Sequence, residues 1–137
     1  MEVIDNIPVK LELDDVVKKT RLRNVSEDVK EIIHELFDMV CPIAKPKAVF
    51  EISCVDNKQG DSLDIGGIRF TSHVLRVNLD KVERVFPYIV TCGREIDEIK
   101  IPQSQLLKQY FLDQIKEITV RSALSYLHDY IRANHAC

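Results

Sequence analysis

The run Phe86-Pro87-Tyr88-Ile89-Val90-Thr91-Cys92-Gly93-Arg94-Glu95-Ile96-Asp97-Glu98, continued by an almost unbroken helical pattern to Asn134, decides how this chain folds. Phe86, Tyr88, Ile89 and Val90 read as an apolar strand within a predicted strand over 84–92. Gly93 breaks it, and residues 94–100 carry enough acid to open a helical turn. Pro102 then stands where a proline is tolerated at the start of a long helix. At about 100° per residue, Leu107, Phe111, Ile115, Ile118 and Ser122 fall on one stripe of that helix, while Val120, Leu124, Leu127 and Ile131 fall on roughly the opposite side. A helix apolar on two sides calls for two partners, and the second is expected to be a segment or a protein outside this sequence.

Working outward, Ile7, Val9, Leu11 and Leu13 alternate with polar residues and Pro8, the period of a half-buried edge strand. Asp14 and Asp15 open a short helix through Lys19. Ser26 followed by Glu27 and Asp28 marks a second helix start, with Ile32, Ile33, Leu36, Phe37 and Val40 at helical spacing until Pro42. Residues 45–55 read as a strand and residues 57–61 as a polar turn. Leu63-Asp64-Ile65-Gly66-Gly67-Ile68-Arg69-Phe70 places two glycines between alternating runs, a tight hairpin. Thr71 or Ser72 caps a helix over 73–82. This order lacks regular βαβ alternation, so the expected class is α+β: a small mixed sheet packed against helices, with one long C-terminal helix.

The 137 residues are one domain's worth, read as a single unit over 1–137, with 45% apolar and 30% charged residues. That composition describes an ordinary globular protein, expected to be cytoplasmic. The longest apolar runs are far shorter than the roughly 20 residues of a membrane helix, and the N-terminus lacks a basic-then-apolar signal pattern. A net charge of −3 with scattered lysines and arginines gives no general attraction to nucleic acid.

Cys41, Cys54, Cys92 and Cys137 are too dispersed for a disulfide scaffold or a zinc site and read as buried, reduced thiols. Cys92, at a strand end before Gly93, could be activated by exposed amides. With no histidine or nucleophile signature beside it, a packed thiol is the expectation. His128 and His135 lie two helical turns apart, too far to share a metal ion, and His34 and His73 stand alone, so no metal centre is expected. The acidic pairs Asp14-Asp15, Glu27-Asp28 and Asp97-Glu98 suit helix starts, and Gly66-Gly67 lacks the flanking residues of a phosphate loop.

Taken in order, Ile65-Gly66-Gly67-Ile68-Arg69-Phe70-Thr71-Ser72, then Tyr88-Ile89-Val90-Thr91-Cys92-Gly93-Arg94-Glu95-Ile96-Asp97-Glu98, then Tyr126-Leu127-His128-Asp129-Tyr130-Ile131-Arg132 within a long helix resembles the activation domain of vitamin B12-dependent methionine synthase and its free-standing relatives. The likeness runs from Ile7 onward. It implies a part in reductive remethylation of a cobalamin or corrinoid methyltransferase, with S-adenosylmethionine as methyl source and the corrinoid supplied by another module or protein. The positions it suggests for ligand contact are Gly93, Arg121 and Ser125, with no catalytic residue. Two departures accompany it. The family's Arg-Pro-x-Pro-Gly-Tyr-type segment has no counterpart before Cys137, and Arg121 stands where the family uses an acid. The chain therefore reads as a shortened or truncated relative. The other reading is a non-catalytic module that docks on a corrinoid protein or self-associates through its last helix.

Overall fold

The computed structural model describes residues 1–21 and 25–135. Seven strands and four helices follow one another as β1 (Glu2–Ile4), α1 (Leu13–Thr20), α2 (Glu27–Val40), β2 (Lys47–Phe50), β3 (Ser53–Gln59), β4 (Ser62–Ile65), β5 (Ile68–Thr71), α3 (His73–Asn78), β6 (Arg84–Val85), β7 (Tyr88–Thr91), a 3-10 turn (Arg94–Glu98) and α4 (Leu106–His135). The α+β class and the long last helix stand as expected. The sheet content is divided in two: a three-stranded sheet in the order β1-β2-β7 and a four-stranded one in the order β5-β4-β3-β6.

The chain forms two compact units, one of Met1–Val3 with Val49–Ile89, the other of Ile4–Ala48 with the chain from Val90 onward. In the first, β4 pairs antiparallel with β5 through Leu63↔Phe70 and Ile65↔Ile68, and β3 pairs antiparallel with β4 through Val55↔Ile65. Gly66 and Gly67 make the hairpin turn at φ 57° and 83°, values that glycine adopts without steric cost. The pairing puts Val55, Leu63, Ile65, Ile68 and Phe70 on one face. Val55 and Leu63 are buried, while Ile68 and Phe70 on the edge strand are exposed.

The second unit is helical. Val16 of α1, Ile33, Leu36, Phe37 and Val40 of α2, Ile96 of the 3-10 turn, and Phe111, Leu112 and Ile115 of α4 form one core. The Ser26 hydroxyl accepts from the Val29 amide and caps α2 as the sequence predicts. Burying side chains of this size stabilises by about 2 kcal/mol apiece, which explains why α2 holds its register although its last turn carries no basic residue.

Several boundaries differ from the sequence reading, each for a physical reason. Residues 5–12 form no strand, although Ile7 is buried and Val9 and Leu11 are half-buried in the expected alternation. The segment is extended without a ladder partner, and Pro8 supplies no N–H to one. The single strand expected over 45–55 breaks at Glu51 and Ile52. The buried positions run Ala48, Phe50, Ser53, Val55, so the alternation slips by one residue where β2 ends and β3 begins. The polar turn expected over 57–61 narrows to Gly60 and Asp61 because β3 continues to Gln59.

The strand expected over 84–92 splits into β6 and β7 around Phe86 and Pro87, where the Pro87 carbonyl accepts from the Glu51 amide at 3.0 Å and the Phe86 ring stands 6.3 Å from that of Phe50. Helix α3 stops at Asn78, short of residue 82. Pro102 lies four residues ahead of α4 rather than in its first turn, its carbonyl accepting from the Gln105 amide and from the Gln109 side chain.

The largest difference concerns α4. Its fully covered positions include Phe111, Ile115, Thr119, Ala123 and Leu127, each four residues after the last. Four residues turn about 40° beyond a full revolution, so this line winds about 160° around the helix over its length. The two opposite stripes are therefore one winding band. Leu107 is 49% exposed although it belongs to the expected first stripe. Leu127, of the expected unpartnered stripe, is fully buried within this chain. Thr119 keeps its hydroxyl satisfied inside the band by donating to the Ile115 carbonyl at 2.8 Å.

Candidate functional site

Helices α1 and α4 pack side by side, and both belong to the helical unit. Beside their contact lies a cleft of about 580 Å³ lined by Lys10, Glu12, Asp15, Lys18, Lys19, Ile118, Arg121 and Ser122. That volume lies within the range of small-molecule sites, which run from about 300 to 1,000 Å³. The extended segment before α1 delivers Lys10, the start of α1 delivers Asp15, and its last turn delivers Lys18 and Lys19. Cations in that turn are favoured by the helix dipole.

The electrostatics are organised around Glu117. Its carboxylate accepts from the Lys19 ammonium at 2.9 Å and from Nη2 of Arg121 at 2.9 Å. The Lys19 hydrogen bond first, then the charges of Lys19 and Arg121, hold the Glu117 carboxyl below its ordinary value, against burial, which is the second-largest influence and raises it. Lys19 is thereby pinned, with its side chain 18% exposed, whereas Arg121 is 69% exposed and reaches out of the pair. Lys10 and Lys18 are exposed and form no ion pair among the described residues. The wall of the cleft thus presents four cations and two carboxylates, in a chain whose net charge is −3.

Of the three positions suggested by the resemblance, Arg121 lines this cleft. Ser125 follows one turn later on α4, exposed and outside the lining, and Gly93 lies elsewhere in the helical unit. Gly93 sits at φ 93° with its amide donating to the Thr91 hydroxyl at 3.1 Å. A Cβ there would stand 2.7 Å from the Lys45 carbonyl oxygen, so the bare backbone is required by packing. The structure does not bring Gly93 and Arg121 to one cleft.

Cys92 is half-buried. Burial pushes its thiol up, against a smaller lowering by its own backbone and by Lys116, which is the opposite of what a nucleophile needs. Contrary to the burial expected of the cysteines, Cys41 is exposed at the end of α2, where what cover it has and then Asp38 raise its thiol, and Cys54 is exposed because it falls on the outward position of β3 between buried Ser53 and Val55. Cys137 lies outside the described residues.

His73 is held by Asp61 at 2.9 Å, and the His34 ring meets Phe37 edge-on with centroids 6.0 Å apart. Among the described residues no three His, Cys, Asp or Glu side chains gather as a metal-binding group, and no helix is long and apolar enough to cross a membrane. Lys10 and Lys18 are the cleft residues that sequence spacing does not reveal. They come to Arg121 only through the packing of α1 on α4, across about a hundred residues of chain. No protein-family model and no curated protein matches this chain.

Proposed function

We propose that this protein is a methionine synthase activation-domain-like accessory of corrinoid-dependent methyl transfer. In this reading it supports reductive remethylation of a cobalamin or corrinoid methyltransferase with S-adenosylmethionine as the methyl source, and works in the cytoplasm. The observation that supports the reading is the order and packing of elements: a Gly-Gly hairpin, a strand closing in Thr91-Cys92-Gly93, a short acidic turn, and a 30-residue helix laid on α1 and α2.

The chemistry of the cleft limits how this chain takes part. S-adenosylmethionine carries a sulfonium and an ammonium that outweigh its carboxylate, and a wall on which Lys10 and Lys18 stand outside any ion pair among the described residues, with Lys19 and Arg121 bridged by Glu117, does not favour such a ligand. Arg121, already engaged by Glu117, cannot accept hydrogen bonds from ribose hydroxyls. The role assigned here is accordingly that of a partner, with corrinoid and methyl donor held by the complex. Calorimetry with S-adenosylmethionine tests it in two arms. The chain alone should give no saturable heat, and a corrinoid methyltransferase should gain reductive remethylation when the chain is added. Absence of any gain with corrinoid methyltransferases would sink the reading.

A second reading, a non-catalytic module that docks on a corrinoid protein or self-associates, is favoured by the apolar side chains that β5 and α3 leave in solvent: Ile68 at 64%, Val74 at 68% and Val77 at 58% exposure. In that case Ile68→Lys would abolish partner capture or self-association while leaving the isolated fold intact.

A further inference from the structure

We propose that the α1–α4 cleft binds a small molecule carrying a phosphate group and hydroxyls, with Lys10, Lys18 and Arg121 on the phosphate and Glu12 and Asp15 on the hydroxyls. This goes beyond the methyl-transfer reading and does not depend on it. Three observations carry it.

The first is the pair of lysines. Lys10 and Lys18 come from different segments, line one cavity, and meet no carboxylate among the described residues. Like charges on the wall of one cavity repel each other, and a dianion bound there offsets that repulsion.

The second is the state of Arg121. Its Nη2 is committed to Glu117, which anchors the guanidinium along α4. The remaining N–H donors of its planar fork stay available, and phosphate matches the spacing of that fork. Glu117 therefore positions Arg121, and through Lys19, itself a lining residue, it also ties α1 to α4.

The third is the division of the lining. Glu12 and Asp15 are acceptors only, suited to hydroxyl donors, and Ile118 gives the cleft an apolar patch where a carbon skeleton can rest. A bare inorganic anion would use the cations and leave these acids facing it. A phosphorylated polyol uses both.

The test is a titration of the full chain with ribose 5-phosphate, followed through backbone amide shifts. Inorganic phosphate, unphosphorylated ribose and chloride at matched ionic strength form the other arms. Saturable shifts confined to residues 10–19 and to the part of α4 around Ile118–Ser122 are expected. Binding should be tighter for ribose 5-phosphate than for inorganic phosphate and absent for ribose and chloride. Lys10→Gln with Lys18→Gln should weaken it at least tenfold with the spectrum otherwise unchanged, while Lys45→Gln, an exposed lysine outside the cleft, should not. No saturable shift, a response that follows ionic strength alone, or equal affinity in the double variant would overturn the proposal. Tighter binding of a polyglutamate peptide than of ribose 5-phosphate would overturn it too, by assigning the cleft to an acidic protein segment. None of these outcomes touches the remethylation assay, so the two readings fail separately.

Discussion

The Lys19 ammonium donates to the Glu117 carboxylate across 2.9 Å and joins the last turn of α1 to the middle of α4, two positions 98 residues apart in the chain. Because Glu117 also accepts from Arg121, one carboxylate serves two cations. Its pKa in the folded protein is held below the value it has unfolded, first by the Lys19 hydrogen bond.

The pH dependence follows from that direction. A depressed carboxyl binds protons more weakly folded than unfolded, so its stabilisation is complete above the unfolded value and is lost as pH falls through the lowered one. The wild-type melting temperature is therefore expected to drop more steeply on acidification through the carboxylate range than that of Glu117→Gln. Parallel melting curves for the two proteins between neutral and acidic pH would show that the bridge is screened by solvent, as exposed pairs often are.

Gly93 and Gly67 offer a contrast between two glycines that both have positive φ. At Gly67 (φ 83°) an added Cβ meets nothing within 4 Å, so Gly67→Ala bears only backbone strain, about 1 kcal/mol. At Gly93 the same Cβ adds a contact of 2.7 Å to the Lys45 carbonyl oxygen, a backbone atom that cannot swing aside. Gly93→Ala should destabilise by about 3 kcal/mol or more in chemical denaturation, well beyond Gly67→Ala. Equal losses would mean that the loop at Lys45, ahead of β2, yields.

How much of this was legible beforehand depends on the range of the signal. Ser26 capping α2, the Gly66-Gly67 hairpin and the long last helix rest on local preferences within a few residues, and they are where the sequence places them. The extended segment around Pro8 and the slip between Phe50 and Ser53 depend on which strand is available as neighbour, which no local pattern encodes. The winding of α4 hides in the pattern for another reason. Thr119 and Ala123 carry the band between Ile115 and Leu127, and neither counts as a strongly apolar residue when stripes are read from sequence. The cleft is the least legible feature, because Lys10, Lys18 and Arg121 share no spacing at all.

That winding band predicts a difference between leucines of one helix. Leu127→Ala removes a side chain with no exposure and should cost about 2–5 kcal/mol, whereas Leu106→Ala, at a position 72% exposed, should stay within about 0.5 kcal/mol of the wild type. Denaturant midpoints at unchanged m-value check both. A surface role for Leu127 in self-association would reverse the order, with little loss of monomer stability and a change of mass in light scattering instead.

The thiols give the last prediction. Burial is the main influence raising Cys92, and its half-covered position limits access as well. Cys41 is raised by burial and by Asp38, but is exposed. Only the thiolate attacks an alkylating reagent, so a raised and shielded thiol reacts slowly. With iodoacetamide at neutral pH, peptide mass analysis should find Cys54 modified ahead of Cys41, and Cys92 last until the protein is unfolded by denaturant. Prompt modification of Cys92 in the native protein would instead place an activating cation beside it and reopen the strand end at Gly93 as a reactive centre.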